Sequence, residues 1–315
     1  MVNAPDRVLA AAVRLLPPGR REWGTAMRAE LASLRGDRWR FTLGCVRAVA
    51  TLPAVWRRAA GPTLLLGVVA ATVWFTADVG YEPLRWGLVG LVCTLVVIAC
   101  LGRLRPLGPV GDHAAARAVR AGGLLLIGAL AAETVVSLAH KDSRDVTGVP
   151  VLTVMFAGYL LGFLALTARR STASSRTLVA GALAGVGAAA AWTAMVFAFP
   201  PIPPGPALAV LTIALGAGVA ATIAGHRAAL LAASCAGTVG ALLTLHAVLA
   251  LSTWGPAGLI PDLAPAALTP ADNLANSRIE LQDPYLWLLL LGWLIALTQA
   301  APLVKNAASQ ARHRL

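Results

Sequence analysis

Two ionisable side chains inside long apolar segments are the residues of this sequence best placed to do chemistry. Glu133 lies seven residues before an apolar run ends at His140, and His246 lies five residues before another run ends at Leu251. In helices that run the same way, these positions lie about 10 Å and about 7 to 8 Å below the same membrane face. We therefore predict a ligand site formed by Glu133 and His246, with Trp254 in the loop that follows.

Each of these two residues also has a plainer explanation. An ionisable group in hydrocarbon costs at least about 2.5 kcal/mol, so it is normally paired, placed in a cavity or functional. Glu133 could be a neutral carboxyl that hydrogen bonds to a neighbouring helix. His246 could be an interfacial imidazole that reaches water. The sequence leaves these alternatives open.

The segments that hold these residues predict the fold class. The chain is 58% hydrophobic and 13% charged, with a mean hydropathy of +0.73, whereas about a quarter of residues are charged in soluble domains. The runs lack the two-residue alternation of barrel strands, so we predict an all-α membrane bundle of eight transmembrane helices with a small N-terminal cytoplasmic helical segment. The spans are 62–79, 86–102, 121–140, 151–168, 177–199, 207–226, 228–251 and 285–304.

The predicted organisation has three parts. Residues 1–60 form a cytoplasmic amphipathic prefix, residues 61–304 the transmembrane domain, and residues 305–315 a cytoplasmic tail. The external loop 252–284 begins with a proline-rich extended stretch and continues as a helix whose start is marked by Thr269 and Pro270. This loop could be a lid over an outward cavity or an inert connector on the headgroups.

The arginines predict the orientation. With eight spans, 22 of the 26 basic residues fall on the side of the two termini, and the positive-inside rule makes that side cytoplasmic. The predicted location is the inner (plasma) membrane, with both termini in the cytoplasm. The net charge of +12 is then explained by topogenic arginine against anionic lipid, and no direct contact with nucleic acid is expected. The exceptions to the bias are Arg85, Lys141, Arg144 and Arg278.

The prefix reads as three short amphipathic helices. Pro5–Leu16, Arg20–Leu34 and a third segment from Trp39 each carry apolar residues at spacings of three and four, and prolines and glycines separate them. Such helices could close a small bundle or lie along the headgroups, either as a docking module or as a topogenic anchor. The predicted partner-binding residues are Trp23, Met27, Leu31 and Trp39.

Part of the prefix resembles a known group of proteins. The residues from Arg21 to Leu31 (REWGTAMRAEL) and from Arg38 to Ala48 (RWRFTLGCVRA) resemble the short cytoplasmic helical prefix of actinobacterial PadR-associated membrane proteins. The resemblance is limited to about residues 1–50. It implies a signalling or docking role for the prefix and transfers no catalytic residue.

Several classes of function are not supported by any motif in the sequence. No P-loop, zinc-protease, hydrolase-elbow or dinucleotide motif is present, and the four cysteines show no metal-ligand or disulfide spacing. We therefore predict a protein that is not an enzyme, with no metal and no cofactor. The GxxxG pairs Gly158/Gly162 and Gly181/Gly185 indicate close helix packing, within the chain or in a homo-oligomer.

Two functions from different classes remain. The first is a membrane-embedded sensor or regulatory component that couples an outward-facing ligand site to a cytoplasmic regulator through the prefix. The alternative is a permease, or the membrane subunit of a transporter, for a hydrophobic or cationic substrate, energised by a separate ATPase. Neighbouring genes would discriminate them, because a PadR-type regulator gene favours signalling and an ATPase gene favours transport.

Overall fold

A computed structural model of the chain describes residues 4–16, 18–102, 109–140, 146–226, 228–264 and 269–312. These residues form helices and turns without a β-strand, apart from one isolated bridge between Val110 and Ala168. The predicted all-α class is confirmed. The chain divides into two compact units, Met1–Ala71 and Thr72–Leu315, and the division falls within a helix.

The first unit begins with a three-helix bundle. Its helices are α1 (Ala4–Arg14), α2 (Arg21–Ser33) and α3 (Arg38–Ala50), with a short 3-10 turn over Pro18–Arg20. One residue from each helix, namely Leu9, Leu31 and Cys45, meets in a buried cluster flanked by Val13 and Met27. Of the two arrangements left open for the prefix, the bundle is therefore the one observed.

The helix α4 (Pro53–Phe75) follows the bundle after two residues. The sequence predicts its first span over residues 62–79, but the apolar helical part that the structure describes is Thr63–Phe75. At 1.5 Å per residue those 13 residues extend about 20 Å, less than the roughly 30 Å of a hydrocarbon core.

Among the described residues, seven helical segments are long and apolar enough to cross a bilayer, so the chain is a multi-pass membrane protein. The prediction of a helical membrane protein with several spans is confirmed, and the count of eight spans stays a prediction. The seventh stretch, Pro270–Gln299, contains α11 (Pro270–Glu280), a 3-10 turn and the first half of α12 (Leu286–Arg312). The other six are α5 (Glu82–Leu101), α6 (Ala114–His140), α7 (Gly148–Leu166), α8 (Ser175–Ala198), α9 (Ala207–Ala224) and α10 (Ala229–Trp254).

Glycine pairs bring the helices of this second unit together. A Cβ on Gly162 of α7 would lie 2.8 Å from the Ala296 carbonyl oxygen of α12, and one on Gly185 of α8 would lie 2.7 Å from the Ala236 oxygen of α10. Both GxxxG pairs therefore serve packing within the chain. The break between α9 and α10 falls at Gly225, whose φ of 78° suits glycine.

The segment after α10 is folded against the end of that helix. The guanidinium of Arg278 donates to the carbonyl oxygens of Ser252 and of Gly255, the second at 2.7 Å, and Ser277 Oγ accepts from the backbone N–H of Leu263 at 3.0 Å. Thr269 caps α11 by accepting from the N–H of Asp272 at 3.3 Å, with Pro270 in the first turn, as predicted. A cation at the C-terminal end of α10 satisfies carbonyls that the helix leaves free.

Close packing at Gly185 predicts a strong effect of a single methyl group. The variant G185A should lower the melting temperature in detergent, because overpacking of this kind costs about 1–3 kcal/mol. On the same helix, a Cβ on Gly187 meets nothing within 4 Å. G187A should therefore leave the melting temperature unchanged or raise it slightly, since alanine favours helix over glycine by up to about 1 kcal/mol. Equal melting temperatures for the two variants would contradict the packing described.

Candidate functional site

The structure brings Glu133 and His246 together between α6 and α10. Glu133 Oε2 lies 3.4 Å from His246 Nδ1. The prediction that these residues could meet is confirmed. Because α10 continues to Trp254, His246 lies eight residues, or about 12 Å, before the helix end rather than the predicted 7 to 8 Å. The correction brings its depth close to that of Glu133.

The other ring nitrogen of His246 is held by the backbone. Its Nε2 lies 3.0 Å from the carbonyl oxygen of Leu126, two turns before Glu133 on α6. A carbonyl oxygen only accepts hydrogen bonds, so Nε2 must carry a proton to bond there. The remaining nitrogen, Nδ1, is therefore the one whose protonation depends on Glu133.

This arrangement can hold one proton in the contact between the two side chains. If that proton is on Nδ1, an imidazolium faces a carboxylate; if it is on Glu133, a carboxyl group donates to a neutral imidazole. Both forms have no net charge, which suits the hydrocarbon region. Loss of the proton would leave a carboxylate facing a lone pair, and gain of a second would leave a net positive charge.

The contact is close without being a tight hydrogen bond. A separation of 3.4 Å lies within ion-pair range but exceeds the 2.7–2.9 Å usual for charge-assisted hydrogen bonds. Glu133 Oε2 is enclosed by protein and has no hydrogen-bond partner of good geometry among the described residues. Exposure is 16% for the His246 side chain and 38% for that of Glu133, so the protein does not fully enclose the Glu133 side chain.

The surroundings limit what the pair can hold. Among the described residues, no set of three His, Cys, Asp or Glu side chains is placed to hold a metal ion. Thr134, beside Glu133, donates its hydroxyl to the Leu130 carbonyl at 2.8 Å. A shallow apolar depression on α4, lined by residues from Thr63 to Ala71, does not include the pair.

The third predicted ligand residue, Trp254, is not part of this contact. It lies at the C-terminal end of α10, eight residues beyond His246, with 76% of its surface exposed. That separation is about 12 Å along the helix. An exposed tryptophan at a helix end suits the membrane–water interface.

The predicted partner-binding residues of the prefix separate into two groups. Leu31 is 1% exposed and Met27 packs against the same core, so these two side chains hold the bundle together. Trp23 and Trp39 are 53% and 50% exposed. The apolar row of α2 is used to close the bundle, and Leu31 is therefore not available as a contact residue. The guanidinium of Arg20 lies over the Trp23 ring, 5.1 Å from its centroid.

Sequence reasoning missed a second polar contact on α6. Arg120 is 7% exposed, and its guanidinium donates to Thr167 Oγ1 at 2.8 Å and to the Leu164 carbonyl at 3.0 Å. Both acceptors lie at the C-terminal end of α7, where a cation is favoured. Arg120 therefore joins α6 to the end of α7 in addition to its effect on membrane orientation. Its position six residues inside a helix was the signal that could have revealed this contact.

We expect the Glu133–His246 contact to appear as a coupling energy. E133L and H246L should each lower unfolding stability in detergent, because each leaves a polar partner unpaired, whereas the double variant should recover part of the loss. Contacts of this kind in membrane proteins contribute about 0.6 kcal/mol on average and up to about 1.7 kcal/mol. As a control, L215A on the exposed side of α9 should combine additively with H246L. Additivity of E133L with H246L would contradict the contact.

Comparison of the chain with protein-family models, with curated proteins and with solved structures finds no match in any of the three.

Proposed function

We propose that the protein is a multi-pass regulatory component of the plasma membrane that binds a proton or a small cationic group at Glu133 and His246 and signals to a cytoplasmic partner through its prefix. The observation that carries this proposal is the 3.4 Å contact between these two ionisable side chains within membrane-spanning helices. Ionisable groups at such depth are rare, and they commonly mark ligand or proton sites.

The proposed topology has α4 as the eighth span, with both termini in the cytoplasm. It is supported by the concentration of basic residues on the side of the termini. In this orientation the pair lies in the outer half of the bilayer, and the folded segment after α10 faces the exterior. The segment is bonded to Ser252, six residues beyond His246 on the same helix.

The helix α6 could couple the pair to the loops at the other end of the bundle. Glu133 lies 13 residues from Arg120 on this helix, about 20 Å along its axis. Arg120 is bonded to the end of α7, and the adjoining loops are joined by backbone bonds from Gly111 N–H to the Thr167 oxygen at 3.0 Å and from Arg169 N–H to the Pro109 oxygen at 2.8 Å. A shift of α6 after a change of charge at Glu133 would therefore reach the cytoplasmic loops of the proposed topology.

The prefix is the part of the chain that we propose to bind the cytoplasmic partner. It has its own buried core, and Trp23 on α2 remains exposed beside Arg20. Tryptophan and arginine are enriched among residues that dominate protein interfaces. The partner would be a cytoplasmic regulator, as the resemblance of the prefix implies.

The second candidate is a permease, and the same pair supports it. Chains of Asp, Glu and His form proton relays in pumps and transporters, so a single Glu–His pair could couple a substrate to proton movement. The two candidates differ in what the pair changes, since a sensor alters its own cytoplasmic surface and a permease moves protons across the bilayer.

Hydrogen exchange of the whole protein in lipid nanodiscs tests the sensor directly, with the proton as the probe. Between acidic and alkaline pH, amide exchange in α2 and α3, corrected for intrinsic rates, should change by about fivefold or more, as expected for an allosteric coupling of ordinary size. In E133Q the amide can donate to His246 Nδ1 but cannot lose a proton, so the response of the prefix should disappear. The exposed Glu82 provides the control, and E82Q should retain the response.

The permease requires a different outcome. In sealed proteoliposomes with a pH-sensitive dye inside, a permease would give a proton flux that E133Q abolishes, together with prefix exchange that does not respond to pH. That combination would overturn the sensor. A prefix response that survives in E133Q would overturn the assignment of the site.

A further inference from the structure

The helix α3 has two apolar rows, of which the bundle uses one. The inner row, Thr42, Cys45 and Val49, is at most 9% exposed. Trp39 and Leu43, with spacings that continue to Val46 and Ala50, form a second row about 100° around the helix. We call Trp39, Leu43, Val46 and Ala50 the outer row. Its two large members are 50% and 58% exposed.

The charged side chains beside the outer row on α3 are all positive. Arg40 and Arg47, seven residues apart and both exposed, lie along one edge of the row, and α3 contains no acidic residue. Across residues 1–60 there are 11 arginines against four acidic residues. Among the described residues of the bundle, Asp6 forms an ion pair with Arg38 at 2.9 Å, so Arg40 and Arg47 do not share that acid.

The connection to α4 keeps α3 close to the helix that approaches the membrane. Thr51 and Leu52 separate the two helices, so the end of α3 lies within roughly 10 Å of the start of α4. Ten residues of α4, about 15 Å of helix, then precede the apolar part that begins at Thr63. The length of the connection therefore allows the outer row to reach the headgroup layer.

We propose that the outer row of α3 docks on the anionic lipid surface of the membrane. An apolar row that begins with tryptophan and is edged by arginine fits the headgroup boundary, where the ring and the leucine enter the acyl region and the guanidinium groups bind lipid phosphates. A protein partner would have to supply both an apolar groove and an acidic rim. The proposal goes beyond the function above and assigns Trp39 to lipid, which leaves Trp23 on α2 for the cytoplasmic partner.

Spin labelling of the full-length protein in nanodiscs tests this surface. A label at L43C reports the outer row, and a label at A29C, on the exposed side of α2, is the reference position. Cys93 and Cys100 are replaced by alanine beforehand, whereas Cys45 and Cys235 are buried. Burial, together with the nearby Glu30 carboxylate, raises the pKa of the Cys45 thiol, which slows its labelling.

In bilayers that contain phosphatidylglycerol, the label at position 43 should be accessible to oxygen and protected from a water-soluble nickel chelate. Position 29 should remain accessible to the chelate. Removal of both charges in R40Q/R47Q should reduce the ratio of docked to free prefix by roughly 30-fold, since each arginine near an anionic surface contributes roughly fivefold. The matched variant R21Q/R28Q, which removes two exposed arginines seven residues apart on α2, should change that ratio little.

Two results would overturn the proposal. One is a label at position 43 that stays accessible to the chelate in anionic bilayers, including the case in which only an added soluble protein protects it. The other is an equal effect of R21Q/R28Q and R40Q/R47Q, which would mean that the prefix is attracted by its total charge and not through this row. Neither result depends on Glu133, so failure of the lipid-docking proposal would not contradict the proposed function.

Discussion

The chain is organised by the cost of leaving a polar group unpaired in hydrocarbon. The backbone meets this constraint by forming helices, and the side chains meet it mainly through backbone carbonyls. Thr153 donates to the Val149 oxygen at 2.8 Å within its own helix, Tyr159 donates to the Leu289 oxygen at 2.8 Å on α12, and Gln299 donates to Thr238 at 3.1 Å on α10. Enclosed polar atoms without a hydrogen-bond partner remain on a few side chains of the described spans, among them Glu133 Oε2, Trp192 Nε1, Thr244 Oγ1 and Gln299 Oε1, and of these four groups only the Glu133 carboxyl group is ionisable.

The pair of Glu133 and His246 can hold one proton in either of two positions. The Leu126 carbonyl occupies one nitrogen of His246, and the single remaining nitrogen faces Glu133. A site of this kind changes charge only by gaining or losing a proton or by binding a cationic group, and each change alters the attraction between α6 and α10. In the function that we propose, this charge-sensitive contact lies in the outer half of the bundle, and the basic prefix provides the surfaces that meet lipid and partner.

Much of the fold could be predicted from the sequence, because the lengths of the apolar runs and the glycines and prolines that end them are local properties. Seven spans, the break at Gly225 and the cap at Thr269 follow from run lengths, glycine and the cap-then-proline pattern. The meeting of Glu133 and His246 was predictable from depth alone. The hydrogen bond from His246 to the Leu126 oxygen could not be predicted, because every residue of a helix carries the same backbone carbonyl. Which carbonyl is bonded depends on how α6 and α10 are rotated against each other.

Periodicity also could not say which apolar rows close the prefix. Leu31 and Trp23 share one face of α2 by spacing, yet Leu31 is buried in the bundle and Trp23 is exposed. On α3 the core is formed by Thr42, Cys45 and Val49, a row that contains a polar residue and is less apolar than the exposed row of Trp39 and Leu43. The sequence pattern does not distinguish the two rows of α3. Which row is buried depends on how well each packs against the other two helices of the bundle.

Solid-state NMR of isotopically labelled histidine in lipid bilayers tests the central claim most directly, with the His246 signals assigned by comparison with H246Q. We expect a proton on His246 Nε2 at both acidic and alkaline pH, and a Nδ1 resonance that shifts in E133Q while Nε2 keeps its proton. An unprotonated Nε2, or a Nδ1 resonance that E133Q leaves unchanged, would contradict a proton held between Glu133 and His246.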